Sequence, residues 1–430
     1  MAEAVLDTPD PGPDAQTPPS DPRPTSIWRN RDYLGWWIGT TVSSMGSSLS
    51  GIAFPLLMLY ETGSVAKAGV IAACENIGRL ITMLLGGVLA DRVSRKALLV
   101  SVPLVQAVAV GTVVPLVITH HVSVFTLGAV AAVQGLVSGL GNGAVSPSLK
   151  RIVPAEQFPM VSASRQARDQ AAELVGPPIG GFLFAATRWA PFLGDAVSFL
   201  AAALGSALIR TPLGPDRDEN AAREPIRRQL AEGYRFVRSN AYMRFVSVWA
   251  AAITGLFMAL LLLVLALIRH RGGGPVAVGA VNSLGALGGL TGALCAPWLV
   301  RRVRGRTIAV AASWLLAAGV TSVAYVPRPW QIGAVFAVVL ILVPPLNTVF
   351  DAYEMKVVPD ELYGRVSALI NFLCSALMWI GPIVAGLLAD VLSPVDAVAV
   401  LGGVLAVLAV WVQVTKALYQ LDADRVEPAG

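Results

Sequence analysis

The chain carries little charge: Asp, Glu, Lys and Arg make up 14% of its 430 residues, whereas 55% are hydrophobic. That balance is far more apolar than a soluble protein of this length needs to fill a core. A water-soluble globular enzyme is thereby excluded, and a mean hydropathy of +0.65 directs the chain into lipid. Cysteine is scarce too. Cys74, Cys295 and Cys374 all fall in apolar runs without paired spacing, which argues against a disulfide framework and leaves them as small core residues. His120, His121 and His270 are too few and too scattered for a metal site. No GxxxxGKS or GxxxxGKT phosphate loop occurs, so ATP is not an internal energy source. No Ser/His/Asp, metal or nucleotide constellation is present either, so neither an enzyme nor a cofactor is expected.

Long hydrophobic runs are what the sequence has in quantity. A helix needs roughly 20 apolar residues to cross hydrocarbon with its backbone groups satisfied internally. Twelve such runs occur, near 34–60, 68–90, 97–119, 123–146, 169–187, 190–209, 245–268, 276–300, 307–326, 330–350, 366–389 and 395–418. An even number places both termini on one side. With that side cytoplasmic, only five of the 32 bases (Lys67, Arg188, Arg269, Arg271 and Arg328) lie outside and one, Arg79, within a span, the distribution that the positive-inside rule requires. The net charge of +5 is spread over membrane-edge loops with no recognition module, so nucleic acid is not an expected partner. Arg outnumbers Lys 27 to 5 and Ala is abundant, a composition of GC-rich bacterial genomes that points to a bacterial plasma (inner) membrane.

Residues 1–26 are rich in Pro and Asp and read as a disordered cytoplasmic tail. A first six-span half occupies 27–210, a charged linker 211–243, a second half 244–419 and a short tail 420–430. In the linker Ile226, Leu230, Tyr234 and Val237 recur at helical spacing between charged positions, which predicts an amphipathic helix at the membrane surface. The halves repeat. Val153, Pro154, Glu156, Val161, Ser162, Ala163, Gly176, Pro177 and Gly181 recur at Val358, Pro359, Glu361, Val366, Ser367, Ala368, Gly381, Pro382 and Gly386, at one fixed offset without a gap. A duplicated six-span unit is an architecture of secondary transporters, with the substrate site near the midplane between halves.

The stretch GGVLADRVSRK joins the second and third spans, and its Asp91 must find a base or a helix N-terminus at the hydrocarbon rim. Gly87, Asp91, Arg92, Arg95 and Lys96 resemble the signature of the major facilitator superfamily in this loop. The resemblance covers about Trp28 to Tyr419 and implies an all-α integral membrane fold of twelve helices in two pseudo-symmetric halves. It further implies that Asp91 closes the cytoplasmic side against the helix start near Val366 and a base, Lys150 or Arg151. The second half has Ala296 and Pro297 where its Asp-Arg would fall. Gly176, Pro177, Gly180 and Gly181 in GPPIGG resemble the fifth-span motif of drug:proton antiporters, with Ala172 where a further Gly is frequent. Physically, the Pro bends the helix and the glycines form a flat packing face for a rigid-body pivot. IAFPLLMLYETGS and the VPxE loops are similar to the macrolide-efflux and enterobactin-exporter branches.

Glu75 and Arg79 sit four apart on one helix face and can pair; an unpaired charge at mid-bilayer costs about 2.5–3.5 kcal/mol. With Glu173, Asp195 and Asp351 they are the proton-coupling candidates, Asp195 being more readily read as an outer helix-start residue. The family lines its cavity with the first, fourth, seventh and tenth spans. On that basis the wall here includes Ser43, Ser44, Ser47, Gln134, Asn142, Phe257, Met258 and Asn347, a mostly apolar surface suited to a bulky amphiphile. The expected partners are thus a hydrophobic or amphipathic small molecule, protons and the bilayer, for a protein expected to be a monomer. The expected activity is export of that molecule; the alternatives are an importer in the same fold and a non-transporting sensor or scaffold.

Overall fold

The computed structural model describes residues 26–214, 226–419 and 421, with the side chains of 84–92, 142, 155, 226–227, 229–230, 360–361 and 364 outside the description. The expected tails, apart from Ser26 and Leu421, lie outside the described residues. Among those residues the fold is helical, with no strand. The first half comprises spans Arg31–Thr62, Val65–Arg92, Arg95–Gly111 continued by Val113–Ile118, Val124–Ile152, Phe158–Ala186 and Ala190–Ala207. The second comprises Ala241–His270, Pro275–Arg302, Gly305–Val323, Pro329–Leu340 continued by Val343–Val357, Asp360–Met378 continued by Ile380–Val391, and Pro394–Val414. Ten of the twelve are long and apolar enough by themselves to cross a bilayer; the others, Val65–Arg92 and Phe158–Ala186, carry internal charges such as Arg79 and Arg168.

Local chemistry sets the ends and the breaks. Asn30, Asn240 and Ser393 accept backbone N–H groups at the starts of their helices, and Gly63, at φ +70°, closes the first span. The three split spans break at Thr112, at 341–342 and at Trp379, just where Pro115, Pro344 with Pro345, and Pro382 each clash with the carbonyl four residues earlier. The fifth span shows the alternative. Pro178 frees the Leu174 carbonyl there, and Ser283 of the eighth span donates to it at 2.5 Å, so the helix runs on unbroken.

The fifth span also begins at Phe158, eleven residues before the start near 169 expected from hydropathy. Its first turns, FPMVSASRQAR, are too polar for lipid but form helix readily, and they project from the membrane on the face that carries the termini. The fourth span likewise ends at Ile152 rather than near 146.

The duplication is visible in the packing. A Cβ on Gly181 would strike the Pro275 carbonyl at the start of the eighth span, and one on Gly279 the Pro177 carbonyl. Their counterparts do the same in mirror roles: Gly386 abuts Ala66 at the start of the second span, and Gly69 the Pro382 carbonyl. The halves therefore meet through two pseudo-equivalent seams of small residues, where backbones approach in contact.

One apolar cluster unites both halves at the face opposite the termini, joining Phe54, Leu57 and Phe192 to Leu263, Leu267 and Leu401. Towards the termini the core divides into a first-half cluster around Tyr33 and Leu149 and a second-half cluster around Tyr242 and Phe350. The halves are closed together at the far face and parted at the near one. The linker helix Ile226–Ser239 belongs to the second half. Val237 is buried in that cluster, Gly233 lies against the Arg365 backbone, and Glu232 pairs with Arg365, while Tyr234 stays exposed. Its apolar side is thus taken in part by protein.

Candidate functional site

Between the halves lie two adjoining chambers. The inner one, about 190 Å³, is lined by Gly51 and Pro55 of the first span, Asn76 of the second, Met258, Leu262 and Leu265 of the seventh, Asn282 of the eighth and Phe336 of the tenth. It is apolar apart from the two amides. Asn76 donates one N–H to the Ala72 carbonyl at 2.9 Å and Asn282 one to Val278 at 3.0 Å, so each keeps its carbonyl oxygen and a second N–H to offer a guest.

The second chamber, about 430 Å³, shares Leu261, Asn282 and Phe336 with the first and opens towards the termini. Gln166, Gln170 and Glu173 line it from the fifth span, Phe257 from the seventh, and Asn347, Thr348 and Asp351 from the tenth. The eighth span offers the small stripe Gly285, Ala286, Gly289 and Ala293, which leaves width for a ligand. Among the described residues two carboxylates and no Lys or Arg face this space, so its potential favours cations.

Several expected residues come together here: Phe257, Met258, Asn347, Glu173 and Asp351 all line the two chambers. Others do not. Ser43 lines a separate cleft of about 140 Å³ within the first half, beside Thr40 and Gln106. Ser44 donates to Asp169 at 3.4 Å, and Ser47 to Asp195 at 3.3 Å. Gln134 is buried at 8% exposure, and the side chain of Asn142 lies outside the described residues. Glu75 and Arg79 form the i,i+4 ion pair, at 2.7 Å and about one-third exposed. Asp195 is buried at 1% exposure between the first and sixth spans.

Of the gating set, Gly87, Asp91 and Arg92 stand in the last turns of Val65–Arg92, their side chains outside the described residues. Arg95 is buried. Lys96 donates to the Ile209 carbonyl at 2.7 Å and Arg151 to Pro212 at 3.3 Å, so both bind the segment just after the sixth span, in their own half. Lys150 is exposed. The bend residues Gly176, Pro177, Gly180 and Gly181 are all buried: Gly176 meets Ser48, Gly180 meets Leu49, and Gly181 meets the eighth span.

Sequence reasoning missed Gln166, Gln170, Asn76, Asn282 and the whole eighth-span wall. Gln166, Gln170 and Glu173, at i, i+4 and i+7, share one helix face, a signal that was legible but hidden by starting the fifth span at 169. The two Asn residues gave none, because a single amide in an apolar run reads equally as helix glue. It also missed Arg168, which reaches Asp169 at 2.9 Å and the Thr40 hydroxyl at 2.8 Å and ties the fifth span to the first.

Two six-helix halves related by duplication, sealed at one face and open at the other around a central amphipathic space, are the architecture of secondary transporters. The chain belongs to the Major Facilitator Superfamily, whose sequence profile matches residues 36–382, and is a multi-pass membrane protein. Among relatives, the multidrug efflux pump Tap of Mycolicibacterium fortuitum is 25% identical over 355 residues, covering 80% of this chain and 86% of the pump. The pump of the same name from Mycobacterium tuberculosis (strain ATCC 25618 / H37Rv) is 26% identical over 363 residues, covering 82% and 85%. In fold the chain resembles a bacterial homologue of the iron transporter ferroportin in an inward-facing state, with a TM-score of 0.67, 16% identity and coverage of 93% and 100%. The nucleoside transporter NupG is similar, with a TM-score of 0.67, 14% identity and coverage of 91% and 99%.

Proposed function

We propose that the protein exports hydrophobic or amphipathic small molecules such as antibiotics, other drugs or siderophores, in exchange for protons, across a bacterial plasma membrane with both termini cytoplasmic. The observation that carries this reading is the pairing of chambers. An apolar pocket with two amide acceptors suits a lipophilic body, and the acid-lined vestibule below it suits a polar or cationic end. The names of the Tap relatives support efflux as the direction. So does GPPIGG at the inter-half seam, because a tight pivot there lets the halves rock without parting.

The test is accumulation of a panel of lipophilic antibiotics and dyes in cells expressing the wild type, Glu173→Gln, Asp351→Asn or Asp91→Asn, with and without a protonophore. Lower accumulation in wild type, abolished by the protonophore and reversed by the vestibule substitutions for cationic dyes above all, is the expected result. Equal accumulation in every arm, siderophores included, overturns the exporter reading.

A further inference from the structure

Asp195 takes no part in either chamber, yet its surroundings are built. Its carboxylate accepts from the hydroxyls of Ser50 and of Ser47 at 3.3 Å, while Ser198 Oγ, 3.2 Å from Oδ1, gives its hydrogen chiefly to the Asp195 carbonyl at 2.7 Å. A side chain on Gly46 would collide with Ser198 and stand 3.0 Å from the Asp195 carboxylate, so glycine is required for the cage to close. We propose that this cage, at the seam of the first and sixth spans, is the proton-binding site of the transporter, a reading that rests on proton-driven export for what the proton drives.

The argument is one of charge and hydrogen-bond accounting. A carboxylate at 1% exposure is far too costly to keep ionised without a cation. The first span has no charged residue between Asp32 and Glu61, and the third none between Lys96 and its end at Ile118. On the fifth span Arg168 is engaged by Asp169 and Thr40, with Arg165 and Glu173 the other charges. On the second span the guanidinium of Arg79 is held by Glu75 at 2.7 Å. Three neutral hydroxyls do not repay the loss of hydration.

As a neutral acid the group is fully satisfied. Its Oδ2–H donates to Ser50 Oγ, which passes its own hydrogen to the Ser47 carbonyl at 3.4 Å, while Oδ1 receives Ser47. A metal ion fits less well. The hydroxyls already touch the carboxylate directly, whereas a cation such as calcium must stand about 2.3–2.6 Å from six or more oxygens.

Ser47 supplies the route. It is the exposed member of the cage and lies one turn from Gly51, which lines the inner chamber. A serine hydroxyl both donates and accepts, so when the acid carries its proton on Oδ1, the oxygen 3.3 Å from Ser47, Ser47 can take that proton as it gives its own to water; the net step converts the carboxylic acid and water into carboxylate and hydronium.

The test uses the full chain in liposomes, as wild type, Asp195→Asn and Ser47→Ala. One readout is the infrared C=O band of a protonated carboxylic acid; the other is ethidium, followed both as gradient-driven accumulation and as equilibrium exchange. In Asp195→Asn the buried acid band is expected to vanish and driven accumulation to fall by about tenfold or more, with exchange kept. Ser47→Ala, at an exposed position that tolerates change, is expected to keep the band and slow its hydrogen–deuterium exchange by about tenfold. An unaltered band in Asp195→Asn, wild-type driven accumulation in that variant, or unslowed exchange in Ser47→Ala overturns the proposal. Failure of wild type to move ethidium counts against the exporter reading alone, because loss of the band in Asp195→Asn still establishes the proton site.

Discussion

At the far face the guanidinium of Arg269, from the seventh span, donates to the Leu59 carbonyl of the first and lies 4.6 Å from the Tyr60 ring centroid. Arg188 approaches the same ring at 5.7 Å while pairing with Glu61 at 2.6 Å. Arg269 thus joins the halves where the apolar cluster already closes them, with a charged hydrogen bond worth about 1 kcal/mol at a partly wet site. Arg269→Ala is expected to weaken closure by that amount and to speed labelling of Ser64→Cys from the far face roughly fivefold. The measurement is the rate with an impermeant maleimide, with Cys74, Cys295 and Cys374 replaced. Glu75 and Arg79 behave as a unit at this scale. Neutralising either leaves a charge in low dielectric, at a cost of about 1–2 kcal/mol because both are partly exposed. The double neutralisation is expected to cost less than the sum of the singles in thermal unfolding.

Elements meet through missing side chains. On Gly279 a Cβ would stand 2.8 Å from Pro178 Cα, and on Gly386 2.6 Å from Ala66 Cα, whereas on Gly403 it would meet nothing within 4 Å. Ala at Gly181, Gly279 or Gly386 must therefore push two helices apart. We expect transport to drop about tenfold for each, equally in the two seams because they are copies of one unit, with efflux rate as the readout. Gly403→Ala, in open space, is expected to leave transport unchanged and to raise stability by about 0.5–1 kcal/mol through its helix. That the fifth span carries its polar stripe beyond the hydrocarbon is also an element-scale property, since only its added turns bring Gln166 to the vestibule mouth, in line with Gln170.

The whole molecule is closed at the far face and open towards the termini. Closure at the far face predicts that Ala66→Cys and Gly386→Cys, whose Cβ atoms would lie 3.3 Å apart, form a disulfide under mild oxidation. The cross-link is expected to arrest transport by locking the seam on which the halves pivot. The pair Ser162→Cys and Ser367→Cys, repeat-related positions on the parted halves, is expected to stay unlinked until the opposite state forms. Cross-linking of both pairs to equal extent in the resting protein would contradict the one-sided opening.

The apolar runs, the side of the bases and the fixed-offset repeat by themselves determined that the chain spans a membrane twelve times in two duplicated halves. Each of these follows from hydrocarbon thickness and backbone hydrogen bonding, which act locally along the chain. The pairing of Glu75 with Arg79 was legible for the same reason, being set by the pitch of one helix. The partners of Asp195, the Ser283 bond to the carbonyl freed by Pro178, and the walls that Asn76 and Asn282 share were decided only by tertiary structure. They depend on which helix faces which, and apolar helices in lipid carry too uniform a surface for their own sequence to specify their neighbours; that choice is made by close packing at glycines and by a few buried hydrogen bonds.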